Sequence, residues 1–246
     1  MPERIFLAGA AGAIGQRMLP LLRDAGHRVV GTTRSAAKAE TLRAQGVEPV
    51  VVDVFDGEAL SRAVKAARPD VVIHQLTDLP KNLEPSLMAQ AIPRNARIRS
   101  EGTRNLVGAA KAAGVRRLVA QSIGWAYAPG PEPHAESDPL DAEAEGDRGI
   151  TLRGVIALEE LVLRSPPLDG IVLRYGQLYG PGTHSAVPSK SAPVHVDAAA
   201  YAAVLAIDRG RPGAYNIAQP NKHIATEKAR AELGWDADFS VAAKHA

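Results

Sequence analysis

The sequence predicts an α/β fold, a doubly wound parallel sheet with a small, shortened C-terminal lobe. Three observations carry that expectation. Short strands that are apolar throughout alternate with helical segments, as in a parallel sheet covered on both faces. A glycine-rich turn follows the first strand and opens the first helix. The chain of 246 residues, 46% of them apolar, suffices for one large domain or for one domain with a small appendage.

The elements follow in order. RIFLAG (4–9) is a strand, and AIGQRMLPLLRDAG (13–26) a helix ended by Gly26, with Pro20 a local irregularity. HRVVGTTR (27–34) is the second strand; SAAKAETLRAQG (35–46) is a helix capped by Ser35 and stopped by Gly46. VEPVVVDV (47–54), the helix GEALSRAVKAA (57–67) and PDVVIHQLT (69–77) come next. A long helix is expected from about Pro93 to Ala113, then the strand RRLVAQS (116–122). Residues 126–149, rich in Pro, Gly and acids, read as a long excursion, either functional or solvated. A helix over 150–164, broadly apolar, leads to the strand GIVLRYG (170–176). The tail holds a short VHV segment, a helix from Asp197 to Asp208, the apolar AYNIA (214–218) and a helix near Ala225–Leu233. The expected division is 1–174 for a dinucleotide-binding domain and 175–246 for a lobe packed on it and partly shared with it.

Composition excludes several functions. The formal charge is +2, basic residues are scattered and aromatics make up 4%, so no nucleic-acid surface is expected. Cys is absent, which removes disulfides and thiolate metal sites and fits a reducing cytoplasm; no metal site is expected. MPERIFLAG does not read as a secretory signal, and no apolar run is long enough for a membrane span.

AGAAGAIG places Gly9, Gly12 and Gly15 between strand and helix, where glycines admit a sharp turn and close approach of a pyrophosphate to the helix N-terminus. An acid ending the second strand would hold the ribose hydroxyls of NAD. GTTR instead puts Thr33 there with Arg34 beside it, which favours NADP over NAD through a charge-assisted bond to the 2′-phosphate. Asp53, closing the third strand, either accepts from the adenine amine or caps its turn.

With VVDVFD, DVVIHQLT, EGTRNLVGAAKAAGVRRLVAQS, LRYGQLYGPGT, VHVDAAAYAAVLAIDRGRPGAYNIA and KARAELGW, these blocks span nearly the whole chain. In that order they resemble the extended short-chain dehydrogenase/reductase family, the NAD(P)-dependent epimerase/dehydratase group. The resemblance implies a Rossmann sheet with a C-terminal substrate lobe. It places Gly9, Gly12, Ala13, Ile14 and Gly15 at the pyrophosphate, Asp53 and Val54 by adenine, and Leu76 and Thr77 near a ribose. It places Gln121, Ser122 and Tyr175 on the nicotinamide side. It is also compatible with a homodimer formed by the long helix before the fifth strand and the helix at 150–164.

The chain departs from that family where the chemistry lies. Members move a proton with a Tyr whose pKa is lowered by a Lys, and hold substrate oxygen with a Ser or Thr. A phenol of pKa about 10 needs such help at neutral pH. Here the corresponding helix offers Leu152 and Ile156, or Thr151 and Val155, according to register. Ile123 stands at the Ser/Thr position with Ser122 one residue early; Arg99 stands where an Asn commonly precedes the EGT block; Leu76 replaces a small residue. About a dozen residues separate Gly182 from VHVD, too few to hold a nucleotide sugar. The expected function is therefore an NADP-preferring oxidoreductase or epimerase-like enzyme acting on a small metabolite through a non-standard site, with Ser122 and Tyr127 as catalytic candidates. Lys190, His184 and His195 are candidates for a pocket mouth, although His195 reads better as a structural histidine preceding the Asp197 helix; His134 either closes over substrate or faces water, and His74 is expected to satisfy backbone groups at the fourth strand. The alternative is a non-catalytic NAD(P)-binding sensor or partner-binding protein.

Overall fold

The computed structural model describes residues 1–241, the side chain of Lys81 apart. A seven-stranded parallel sheet is built from β1 (Arg4–Ala8), β2 (Arg28–Thr33), β3 (Glu48–Val51), β4 (Val71–His74), β5 (Arg117–Ile123), β6 (Asp169–Tyr175) and, after the short pair β7 (Gln177–Tyr179) and β8 (Pro193–His195), β9 (Gly213–Ile217). The strand order is β3-β2-β1-β4-β5-β6-β9, so the direction of winding reverses between β1 and β4. Phe6 lies opposite both Val30 and Val72, and that register continues across the sheet to Tyr175 opposite Ile217.

Alternate residues of each strand face opposite cores. Ile5, Leu7, Ile73 and Leu173 pack with α1 (Ala13–Asp24) and α7 (Val196–Leu205). Phe6, Ala8, Val72 and Val172 pack with α3 (Gly57–Ala67), α5 (Thr103–Ala112) and α6 (Gly146–Leu163). α2 (Ala36–Ala44) covers β2 and β3. α8 (Glu227–Leu233) sends Ala229 and Leu233 into the first of these cores. The tail is thus joined to the main body: β9 extends the sheet, and α7 is bound to α1 by the Arg17–Asp197 ion pair. Residues 242–246 of the lobe expected over 175–246 lie outside the described residues.

Two elements differ from expectation. The helix expected from Pro93 begins instead as α4 (Pro85–Arg97), with Pro85 in its first turn, where the missing N–H has no intrahelical partner to lose. It continues through a π-turn, Ile98–Gly102, into α5. The excursion after β5 is ordered. Tyr127 bridges to Leu140, His134 to Ile224, and Arg148 bonds the carbonyls of Trp125 and Tyr127. This segment and the sheet together cover α6. Leu152 and Val155 pack on Ala126 beneath the excursion, while Leu158 and Val162 pack on the sheet. The broad apolar surface of that helix is therefore largely buried within the single chain.

Candidate functional site

At the switch between β1 and β4, the crevice where ligands of doubly wound sheets bind, a cleft of about 320 Å³ opens over the C-terminal ends of β1, β2 and β4. Its floor is the glycine turn. Gly9 has φ +94°, and a Cβ there would lie 2.6 Å from the Gln75 carbonyl oxygen. A Cβ on Gly15 would lie 2.4 Å from the Gly9 carbonyl oxygen, so α1 starts against the strand as only glycine allows. No side chain caps α1 and no acid stands in its first turn, leaving its N-terminal amides for an anion. Val52, Val54, Leu60 and Ile98 form an apolar wall that suits a purine. Thr33, Arg34, Ser35 and Lys38 line the opposite rim, and none of the described lining residues is acidic. The cradle fits a dinucleotide phosphate and base.

Of the residues expected to hold the cofactor, Gly9, Gly12, Thr33, Arg34, Val54, Leu76 and Thr77 line this cleft. Ala13, Ile14 and Gly15 form the first turn of α1 behind it. Asp53 does not line it; its carboxylate accepts from the Phe55 amide and caps the turn before α3. Gln121 and Tyr175 lie farther along the same sheet end, on β5 and β6. Arg34 is half-exposed and lies 3.4 Å from Asp78. Sequence reasoning missed Lys38 and Gln75. Lys38 had a signal, a second cation one helical turn after Arg34. Gln75 also had one, as an amide in an otherwise apolar strand. Its side-chain atoms are buried, as is the Tyr175 hydroxyl that they face. Burial pushes the Tyr175 phenol upward.

Ser122 and Tyr127 belong to a buried polar network. The Ser122 hydroxyl donates to Glu159 Oε1 at 2.7 Å. Arg174 donates to both Glu159 oxygens, at 3.0 and 2.7 Å, and to the Tyr127 hydroxyl at 2.9 Å. The Tyr127 hydroxyl in turn donates to Asn216 Oδ1 at 2.6 Å. Burial opposes the Arg174 charge, yet the Glu159 carboxylate holds its pKa above the ordinary value. Burial raises the Tyr127 phenol, a shift that Arg174 only partly offsets. A phenol raised in this way and donating inward is a poor base at neutral pH. α6 itself contains no Tyr, Lys or His.

A second cavity, of about 180 Å³, lies beyond the ends of β5 and β6. Trp125, His134, Gln177, Ser191 and His223 line it. The Tyr127 and His134 rings stack at 4.9 Å on one side, and His223 Nδ1 lies 2.9 Å from Glu132. Trp125 and His223 carried no signal in the sequence, because nothing local marks them as neighbours. His184 and Lys190 are exposed and line neither cavity. His195 accepts from the Asp197 amide at the start of α7, and His74 bonds Thr103 at 2.9 Å in the core. Burial pushes His74 down to about 4, keeping it neutral.

Residues 9–199 match the model of a family described as NAD(P)H-binding. A 3-diazoavenalumate denitrifying reductase from a Streptomyces species is 43% identical over 236 residues, covering 87% of this chain and 75% of that protein. Among solved structures, UDP-glucose 4-epimerase of Thermotoga maritima with UDP-glucose superposes with a TM-score of 0.77 at 19% identity, covering 97% and 94% of the two chains. The Bordetella bronchiseptica enzyme WbmG in complex with NAD gives 0.75 at 21%, covering 98% and 90%. At these identities the two structures establish the shared fold.

Proposed function

This chain belongs to the NAD(P)H-binding family, and from that premise we propose that it is a reductase of small, flat, electrophilic substrates whose reduction needs no proton relay. One observation carries the reading. The cleft has the lining a dinucleotide needs, while α6 has no Tyr, Lys or His and the hydroxyls of Ser122 and Tyr127 are committed to an internal network. Reduced nicotinamide, when bound, supplies a hydride. Replacing a diazonium group by hydrogen breaks the carbon–nitrogen bond, forms a carbon–hydrogen bond and releases dinitrogen. The electron pair arrives with the hydrogen, so no side chain has to hold or move a proton. Loss of a diazo group is the kind of reaction named for the Streptomyces relative, and it explains how a scaffold without a proton-transfer pair stays useful.

The residues of the second cavity set the substrate class. A volume near 180 Å³ compares with the roughly 150 Å³ cavity that takes up a benzene ring, and it is far too small for a nucleotide sugar. Trp125 and the Tyr127–His134 stack offer flat faces to an aromatic ring, while Gln177, Ser191 and His223 offer polar atoms to its substituents. In the cofactor cleft, Arg34 and Lys38 on the ribose rim and the lack of a lining acid support NADPH over NADH. A cytoplasmic homodimer is part of the proposal, and sedimentation of the purified protein tests it.

The experiment is reduction of a small aryl diazonium acid with cofactor deuterated at the transferable position. Deuterium is expected in the arene product, with one dinitrogen released per cofactor consumed, and none is expected when ordinary cofactor is used in heavy water. Turnover of simple aldehydes and ketones with no reaction on the diazonium would refute the proposal.

A further inference from the structure

The second cavity joins two segments far apart in the chain, the excursion after β5 and the turn that follows β9. It holds two imidazoles, each set against a carboxylate. His134 Nδ1 lies 3.2 Å from Asp138 Oδ2, and its ring stacks on Tyr127, so this histidine is part of the wall. His223 Nδ1 lies 2.9 Å from each oxygen of Glu132. No Lys or Arg is among the described residues that line the cavity. Its polar recognition therefore falls to hydrogen-bonding groups rather than to a fixed cation.

His223 is held at both backbone and ring. Its amide donates to Asn221 Oδ1 at 2.8 Å, and its carbonyl accepts from the His134 amide at 2.8 Å. Its ring meets Glu132 from the facing segment, and the hydrogen bond from His223 holds that carboxyl below its ordinary range. A carboxylate only accepts, so the nitrogen that faces it carries a proton. In the neutral ring the lone pair is then on Nε2, because the hydrogen bond at one nitrogen decides the role of the other. With Nδ1 turned to Glu132, Nε2 is the ring nitrogen left to the cavity. An acceptor fixed in this way calls for a ligand that donates. A carboxylate at this nitrogen would offer it no proton and would bring a second negative charge towards Glu132. A flat-walled cavity of about 180 Å³ has room for a single ring bearing a hydroxyl.

We propose that His223 selects hydroxylated arenes, its Nε2 accepting the hydrogen bond of a phenolic hydroxyl on a ring held in the second cavity. Glu132 is the positioning residue that sets the tautomer. This rests on the reading of the second cavity as the substrate pocket and adds to it a substituent that the substrate carries.

The test titrates the full chain with phenol and with toluene, which has nearly the same shape but no hydroxyl proton to donate. Tryptophan emission follows binding, since Trp125 lies in the cavity wall. His223→Phe is expected to lower the phenol-to-toluene affinity ratio about ten-fold, the worth of one hydrogen bond to a fixed acceptor. Glu132→Ala is expected to lower it about three-fold, and Glu132→Gln, whose amide oxygen still accepts from Nδ1, to restore it. A role in folding alone would weaken both ligands together and leave the ratio where it was. Nitrogen NMR of wild type, which depends on no variant, is expected to find the proton on Nδ1 and the Nε2 signal of His223 moving with phenol but not with toluene. A ratio within about two-fold of wild type in His223→Phe would overturn the proposal. So would a proton on Nε2 in the free protein, or an Nε2 signal that phenol leaves unmoved. If wild type binds neither phenol nor toluene, the reading of this cavity as an aromatic pocket fails as well. If wild type binds both and reduces the diazonium acid with the ratio unmoved in His223→Phe, the His223 assignment alone fails.

Discussion

Breaking the Arg174–Glu159 pair should destabilise the protein strongly, and removing both partners should restore much of what either single change loses. Both side chains are about 95% buried, and two charge-assisted bonds of 3.0 and 2.7 Å join them. Arg174→Met leaves the Glu159 carboxylate with Ser122 as its remaining partner, an almost uncompensated buried charge that typically costs about 3–5 kcal/mol. For a chain of this length each kcal/mol moves the melting temperature by roughly 2–4 °C, so a loss of roughly 6–20 °C is expected. In Arg174→Met/Glu159→Met no charge is stranded. What remains is one lost hydrogen bond each for Ser122, Tyr127 and the Glu136 carbonyl, about 1 kcal/mol apiece. Urea unfolding of wild type, both single variants and the double variant measures the cycle. A single variant costing less than about 1 kcal/mol, or a double variant as unstable as the sum of the singles, would refute the view that this network is a closed structural unit.

Three further outcomes follow from the same geometry. Ser122→Ala and Tyr127→Phe should each lower stability by about 1–2 kcal/mol while leaving turnover within about three-fold of wild type, because their hydroxyls face inward; a loss of a hundred-fold or more in the folded variant would restore them as general acid–base groups. Arg34→Ala/Lys38→Ala should weaken NADPH binding about ten-fold or more and leave NADH little changed, as read by cofactor fluorescence; equal losses for both cofactors would show that neither cation meets a 2′-phosphate. His74 is neutral when folded, with its pKa pushed down to about 4, whereas the unfolded chain takes up that proton near 6.5. The unfolded state therefore binds the extra proton as pH falls between those values, and stability should drop by up to about 3 kcal/mol over that window. His74→Gln should flatten that slope in urea titrations at several pH values.

Local pattern revealed the sheet because its strands are apolar on both faces and its helices are punctuated by Gly and Ser. Ser35 caps α2 as its type suggests, and Gly9 and Gly15 sit where only glycine fits. The half of the cofactor cleft that lies in contiguous sequence was legible for the same reason. Pro93 misled, since a proline that commonly opens a helix lies inside α4 here. The buried network was invisible: Ser122, Tyr127, Glu159, Arg174 and Asn216 come from five separate stretches, and nothing local tells a buried carboxylate such as Glu159 from its exposed neighbour Glu160.

The changes in α6 and in the second cavity have one physical origin. The α6 positions expected to face cofactor and substrate are 152 and 156, or 151 and 155, according to register. Here Leu152 and Val155 are each 1% exposed and press against Ala126, with Ile123 and Leu140 alongside. They hold down the segment after β5, which Arg148, Glu136 and Asn216 tie to the rest of the chain. That segment supplies Trp125, Tyr127 and His134 to the cavity wall. Polar groups at 152 or 155 would be stranded beneath it. Apolar side chains there thus keep in place the segment that walls the second cavity.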